Sequence, residues 1–492
     1  MFVDFGLKNA LSLPKNPLAM ADIEALKKKY EEAGQPQVFK FWDTIGDVCR
    51  GRLASQLESV DLDELARLNE ELVFKSDGKP AADYSGIEPA PFVPRPGDPA
   101  GDPKWARARE AGEEAIRAGK LAAFVVAGGQ GTRLGFDAPK GEFPVTPVKG
   151  RSLFRVFAEK ILAASRRYGA EIPWLVMTSR INDAETRRFF EANSYFGLDR
   201  ESVIFFSQGL MPAVDFEGRI IMCDRGEVAM TPDGHGGCLR AMVRSGAADA
   251  LKARGVEYVS YFQVDNPLVN LADPYFLGFH ILEGSQMSSK MIPKAYPLEK
   301  VGHFCAKDGR LCVVEYSDLP EFYQRQTDAS GNLRFLAGSV AIHMFDLAFM
   351  ETLGRSGVLP FHRADKKVEY VDDDGVVRIP SKPNGVKFEM FVFDALREAR
   401  NPVIIEGVRA DEFSPVKNAE GVDSPETCRR DQNRMFARWL RSAGERVETD
   451  ADGTPPFNLE VSPLFAYDAA SFAEAWGGLA EKPWIGEGMY LG

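Results

Sequence analysis

The run Gly128-Gly129-Gln130-Gly131-Thr132-Arg133-Leu134-Gly135, with Lys140 following Pro139, concentrates glycine and positive charge in one stretch. Glycines let a backbone approach a ligand closely and turn N–H groups toward it, a geometry that suits anions. Arg133 adds a planar fork of donors matched to phosphate oxygens, and Lys140 adds a compact positive charge. A glycine turn that only links a strand to a helix would explain the glycines, but not two cations beside them. The run is not a Walker loop, which needs Gly-x-x-x-x-Gly-Lys-Ser/Thr. Nor is it a dinucleotide fingerprint, which, starting at Gly129, would need glycine where Leu134 stands. A phosphate-handling loop of another kind is expected.

The elements around this loop set its position. Leu121 to Ala127 is a short, continuous apolar run, the pattern of a buried parallel strand. Ser152 is placed to cap an amphipathic helix carrying Leu153, Phe157 and Ile161. Trp174 to Thr178, Val203 to Phe206 and Tyr258 to Val264 repeat the strand pattern, the last ending in Asp265. Strands alternating with helices predict an α/β fold with a mainly parallel sheet. Ligands of such sheets sit beyond the carboxyl ends of the strands, where both the glycine loop and Asp265 fall. Met287 to Tyr316 turns strand-rich, with Lys307-Asp308-Gly309 as a hairpin turn. A helix over Pro425 to Ala443 and a final strand near Leu459 to Val461 close the chain.

Before this block, Asp22 to Ala33 reads as a helix stopped by Gly34. Asp61 and Glu64 have capping-box spacing ahead of Leu65 and Leu68. Pro80 to Pro103, with Pro89, Pro91, Pro94, Pro96 and Pro99 between, is either a linker or a wrap around the next domain. The expected division is therefore 1–104, helical region and connector; 105–400, central α/β domain; 401–492, smaller C-terminal domain.

Composition narrows the function classes. The chain has 492 residues, a net charge of −12 and a pI near 5.2, which disfavours a nucleic-acid partner. Six dispersed cysteines and five histidines give no zinc spacing, so reduced, mostly buried thiols are expected. No apolar run reaches the ~20 residues of a membrane helix, and the first residues lack a signal-peptide pattern. A cytoplasmic protein with no membrane partner is expected; monomer and homodimer stay open.

Leu121 to Lys140 resembles the signature of the eukaryotic-type UDP-sugar pyrophosphorylases, nearest to the UDP-N-acetylglucosamine pyrophosphorylases. Further segments match in order: Ile172 to Ser179, Phe205 to Gly209 with Pro212-Ala213, Pro232 to Gly237, Val264 to Asn266, Lys382 to Gly385, Phe388 to Phe393 and Asp411 to Ala419. Ala33-Gly34-Gln35 and Phe41-Trp42 resemble the N-terminal helical region of that family. The resemblance implies a Rossmann-like, glycosyltransferase-A-like nucleotidyltransferase fold. It implies UTP and a sugar 1-phosphate as substrates, and a UDP-sugar and pyrophosphate as products. Arg133, Lys140 and Lys417 would serve catalysis by neutralising phosphates. Ala127, Gly128, Gly129, Gly131, Gln208 and Gly234 would hold the nucleotide, and Asp265 would bind Mg²⁺ or Mn²⁺. His235, Gly302, Glu315, Ser339, Phe391 and Phe393 would face the sugar.

Two positions depart from relatives specific for N-acetylhexosamines. His235 stands where those have Asn, and Ser339 where they place an Asn near the acetamido group. The acceptors expected are N-acetylglucosamine 1-phosphate, then glucose 1-phosphate, or several sugars. The absence of a Ser-His-Asp or Cys-His constellation agrees with chemistry that uses no side-chain nucleophile. A nucleotide hydrolase or kinase would need a Walker loop or a water-activating cluster. A silent UDP-sugar-binding regulator would be expected to have lost one of Arg133, Lys140, Asp265 and Lys417.

Overall fold

A ten-stranded sheet carries both the glycine loop and Asp265. In the computed structural model, which describes residues 20–75 and 84–492, its strands are β1 (Glu88–Pro89), β2 (Leu121–Val126), β3 (Trp174–Thr178), β4 (Val203–Ser207), β5 (Tyr258–Gln263), β6 (Met287–Pro293), β7 (Gly302–Lys307), β8 (Arg310–Val314), β9 (Ala337–Asp346) and β10 (Val403–Glu406). The order runs β1-β7-β9-β5-β2-β3-β4, with β8 beside β7, and β6 joining β9 to β10. β2 pairs parallel with β3 and β5, and β3 with β4. β9 then turns the sheet antiparallel against β5, β6 and β7. β2 and β3 are apolar on both faces because both faces are covered: every residue of β3 is buried, and all of β2 but Val126. The chain moves outward from β2 through β3 and β4, then returns to the other side of β2 as β5. The carboxyl ends of β2 and β5 therefore flank a topological switch point, the place where such sheets open a crevice.

Local signals act as their chemistry requires. Ser152 Oγ accepts the Arg155 N–H at 3.3 Å at the start of the helix Leu153–Tyr168, which ends at Gly169 with φ 68°. Lys307 pairs with Arg310 across a two-residue turn, where Asp308 and Gly309 take φ 52° and 73°.

The proline-rich stretch is a wrap rather than a linker. Pro80 lies outside the described residues, but Glu88–Pro89 pairs antiparallel with β7. Val93 then bridges Ile405 in parallel, donating to Ile404 O at 2.8 Å and accepting from Glu406 N at 3.0 Å. Prolines fit an edge position because their missing donors face outward.

The chain divides into two units that differ from the three expected stretches. The larger comprises 83–209, 234–360 and 390–492, and the smaller comprises 1–82, 210–233 and 361–389. Residues 401–492 belong to the larger unit, where β10 returns to the sheet beside β6. The helix Pro425–Ser442 and the strand Leu459–Val461 form as expected. That strand is not the final one: Met489–Leu491 pairs parallel with it, over a cluster built on Trp439, Phe472 and Trp476.

In the smaller unit, the helices Met20–Glu32, Asp47–Glu58 and Leu62–Leu68 accompany short hairpins from the two later segments. Gln35 is buried there as a clamp: its Nε2 donates to Gly218 O at 2.9 Å and its Oε1 accepts from Ile220 N at 2.8 Å. Among the described residues no helix is long and apolar enough to cross a membrane.

Candidate active site

The glycine loop leaves β2 as an open turn. Ala127 N–H is committed to Met177 O at 2.8 Å, and Gly131 N–H to Ala138 O at 2.9 Å. Neither of these two expected nucleotide-binding positions has an amide left to offer. The N–H groups of Gly128, Gly129 and Gln130 have no partner among the described residues. Asn182, fully buried, fixes the turn from behind by donating from Nδ2 to Ala127 O at 2.9 Å and Gly129 O at 3.3 Å. Gln208 lies against the loop's outer side. A Cβ on Gly128 would stand 2.9 Å from Gln208 Oε1, so a larger residue would push the Gln208 amide aside. Arg133 is exposed on the short turn Thr132–Leu134 and forms no ion pair among the described residues.

Across the switch point, Lys140 Nζ lies 3.6 Å from Asp265 Oδ2, both side chains mostly buried. The backbone of Asp265 also carries the late segment: Val416 N donates to Asp265 O at 2.8 Å. This brings Lys417 to the same mouth. Its ammonium lies 3.7 Å from Asp423 Oδ2 and 5.5 Å from the Phe413 ring centre. Burial pushes the Asp423 carboxyl up from its ordinary range; Lys417 opposes the shift and Asp265 adds to it.

A polar pocket of about 220 Å³ opens there, lined by Asp265, Lys417 and Phe413 on one side. His235, Gly302, Glu315, Ser339 and Phe393 also line it, with Lys300 and Tyr316 among the other lining residues. Gly302 and Ser339 are paired partners on β7 and β9. A Cβ on Gly302 would meet Val313 Cγ1 at 2.7 Å and come 3.5 Å from Glu315 Oε1, which closes that position to larger residues. β9 bulges at this point. The register jumps from Ser289↔His343 to Met291↔Ser339, and Ala341 takes φ 55°. Opposite, the His235, Phe391 and Phe393 rings pack with centres 5.1 to 5.7 Å apart. Val392 N–H donates to His235 Nδ1 at 3.2 Å, so a neutral ring carries its proton on Nε2. Gly234 precedes His235 with φ 83°, a conformation reserved for glycine.

Most of the expected residues thus meet in one place, with Arg133 on an exposed turn beside it. Sequence reasoning did not find Asn182 or the bulge at Ala341. An asparagine four residues past a strand carries no signal of its own, and a bulge depends on the register of two strands.

Glu142 follows Lys140 on the same turn. Burial, with Glu185 nearby, pushes its carboxyl up to about 7, and its Oε1 is buried without a hydrogen-bond partner. A carboxyl raised in the folded state contributes stability below its unfolded value and loses it as pH rises through the folded value. Glu142→Gln is therefore expected to raise the melting temperature at about pH 8 and to leave it unchanged near pH 4. Equal effects at both values would show that the carboxyl does not titrate in this way.

The sequence matches the UTP–glucose-1-phosphate uridylyltransferase family over residues 105–424. It is 38% identical over 472 residues to a UDP-N-acetylhexosamine pyrophosphorylase-like protein 1 of Xenopus tropicalis, covering 90% of this chain and 92% of that protein. It is 34% identical to UDP-N-acetylglucosamine diphosphorylase 2 of Arabidopsis thaliana, covering 92% of each. Among solved structures, the uridine diphosphate N-acetylglucosamine pyrophosphorylase of Trypanosoma brucei, in complex with an inhibitor, superposes with a TM-score of 0.77 at 29% identity. The match covers 94% of this chain and 95% of that one.

Proposed function

The chain belongs to the UTP–glucose-1-phosphate uridylyltransferase family, and from that premise we propose that it joins UTP to a sugar 1-phosphate, giving a UDP-sugar and pyrophosphate. The observation that carries this reading is the meeting of the Lys140–Asp265 pair, Lys417 and the glycine loop at one switch point, beside a polar pocket. On this reading the sheet is the Rossmann-like, glycosyltransferase-A-like frame of nucleotidyltransferases, working in the cytoplasm on soluble substrates.

A phosphate oxygen of the acceptor attacks the α-phosphorus of UTP, and the bond from that phosphorus to the pyrophosphate oxygen breaks. The acceptor needs no side-chain base, because a phosphate monoester with a second pKa of about 6 is mostly dianionic near neutral pH. The residues act by screening like charges and holding the reactants in line. The free N–H groups of Gly128, Gly129 and Gln130 take phosphate oxygens. Arg133 and Lys140 neutralise the α-phosphate and the departing pyrophosphate, and Lys417 holds the acceptor phosphate. Gln208 and Gly234 contact the base, while His235, Gly302, Glu315, Ser339, Phe391 and Phe393 face the sugar.

The family implies Mg²⁺. Among the described residues no group of three or more His, Cys, Asp or Glu could hold a metal. The Asp265 carboxylate at the mouth fits Mg²⁺, which is commonly held by one or two carboxylates together with substrate phosphates. Asp265 would hold it, and the bound ion would neutralise phosphate charge.

N-acetylglucosamine 1-phosphate is the acceptor favoured here. The test is pyrophosphate release with Mg²⁺, UTP and the 1-phosphates of N-acetylglucosamine, N-acetylgalactosamine, glucose and galactose, with ATP, GTP and CTP as controls. Release confined to UTP and a sugar phosphate is expected; no release with any pair would overturn the reading. Ser339→Asn, which supplies an amide's paired donor and acceptor, is expected to raise kcat/KM for N-acetylglucosamine 1-phosphate relative to glucose 1-phosphate by about tenfold. An unchanged ratio would remove Ser339 from acceptor choice.

A further inference from the structure

The segment that delivers Lys417 reaches Asp265 without regular strand pairing. Residues 413–417 lie in no helix or strand, yet they are held against the end of β5. Much of the holding is done by one side chain. Asn266, 4% exposed, donates from Nδ2 to Glu412 O at 2.7 Å and accepts the Ser414 N–H on Oδ1 at 3.1 Å. Its Oδ1 also faces Leu268 N at 3.4 Å. The next bond in the series, Val416 N–H to Asp265 O at 2.8 Å, comes from the main chain. A primary amide offers a donor and an acceptor side by side, as a peptide group does. Here it stands in for the missing strand neighbour, taking the carbonyl of 412 and the amide of 414.

We propose that Asn266 is a positioning residue for the reaction: its amide fixes Lys417 relative to Asp265, so that the acceptor-phosphate cation and the acidic residue stay in register. The proposal rests on the uridylyltransfer reading for its catalytic consequence. Asn266 shares this spacing with the main-chain bond from Val416 to Asp265, and other side-chain contacts fix only the flanks. Ser414 Oγ donates to Asp431 Oδ2 at 2.8 Å, tying the segment to the helix Pro425–Ser442. Lys160 Nζ donates to Pro267 O and Val269 O at 2.7 and 2.8 Å, tying down the chain beyond Asn266. Neither bond links the backbone of 412–414 to the residue beside Asp265.

The test is a double-mutant cycle on pyrophosphate release, with amide hydrogen exchange measured in parallel. Asn266→Ala is expected to lower kcat/KM about 10- to 100-fold, mainly through KM for the sugar 1-phosphate. In a Lys417→Ala background the same change is expected to cost less than about threefold, because residues acting as a unit are not additive. A merely structural residue would cost the same factor in both backgrounds, and that result overturns the proposal. Asn266→Asp keeps the acceptor and loses the donor; it covers the case in which the alanine variant does not fold, and the same non-additivity is expected of it. Exchange at the Ser414 and Val416 amides is expected to speed up in either variant. If the wild type releases no pyrophosphate, the functional reading fails. The clamp is then judged by exchange alone, and unchanged protection at Ser414 and Val416 refutes it.

Discussion

Asp265→Asn is expected to lower pyrophosphate release about 10²- to 10³-fold, the scale seen when one fixed electrostatic contact to a reacting group is removed. Asparagine keeps the shape of the side chain and a neutral oxygen but loses the full charge. Two effects then act in the same direction. The carboxylate that would hold Mg²⁺ is gone, and Lys140, 3.6 Å away, loses its counter-charge and repels a cation at that place. The fold should be spared, because the bond from Val416 is to the backbone carbonyl of Asp265 and not to its side chain. Raising Mg²⁺ should recover part of the rate. Turnover close to wild type at ordinary Mg²⁺, in a variant of unchanged melting temperature, would end the assignment of Asp265.

A second large effect is expected in stability. Lys290 on β6 is 3% exposed and ion-paired with Asp273 Oδ2 at 2.6 Å and with Glu412. Burial works against the ionised carboxyl of Asp273, but Lys290 outweighs it and holds the group below its usual range. Burial likewise works against the Lys290 ammonium, which the two carboxylates hold above its usual range. Lys290→Met would leave two buried carboxylates without their counter-charge, at a cost of about 3–5 kcal/mol. Replacing the whole group, as Lys290→Met with Asp273→Asn and Glu412→Gln, should recover much of that loss, because no uncompensated charge remains. The signs for pH follow. The Asp273 contribution is present above its unfolded value and falls away in acid as pH drops through the lowered folded value. The Lys290 contribution is complete below its unfolded value and is lost only in strong base. Thermal melts of the single and triple variants at neutral pH test this; a single variant as stable as wild type would show that the charges are not buried as described.

How far the sequence could be read depended on the kind of signal. β2 and β3 were legible because a strand covered on both faces must be largely apolar, and Ser152 marks the start of the intervening helix. Glycines beside Arg133 and Lys140 pointed to a phosphate-handling loop because few other arrangements need both. The proline-rich stretch was not legible, since extended proline-containing backbone suits a linker and a sheet edge equally well. Only the partners at β7 and Ile405 separate the two. The unit boundaries were hidden for a related reason. Residues 210–233 and 361–389 form short hairpins whose sequences do not say which part of the chain they join. Asn266 illustrates the limit at single-residue scale: an asparagine after an aspartate reads as a turn residue until its bonds to Glu412 and Ser414 are seen.

The edge formed by residues 88–93 sets an order of events during synthesis. Its partners are β7 and β10, and the bridge at Ile405 is made by residues more than three hundred positions later. At about 5–20 residues per second, the segment emerges from the ribosome roughly 15 to 60 seconds before that bridge can form. In that interval it must neither pair with a neighbouring chain nor aggregate. Pro89 and Pro91 suit the wait, because each lacks a main-chain donor that premature pairing would use. The same prolines that let the strip lie along a finished sheet keep it unattached until the sheet exists.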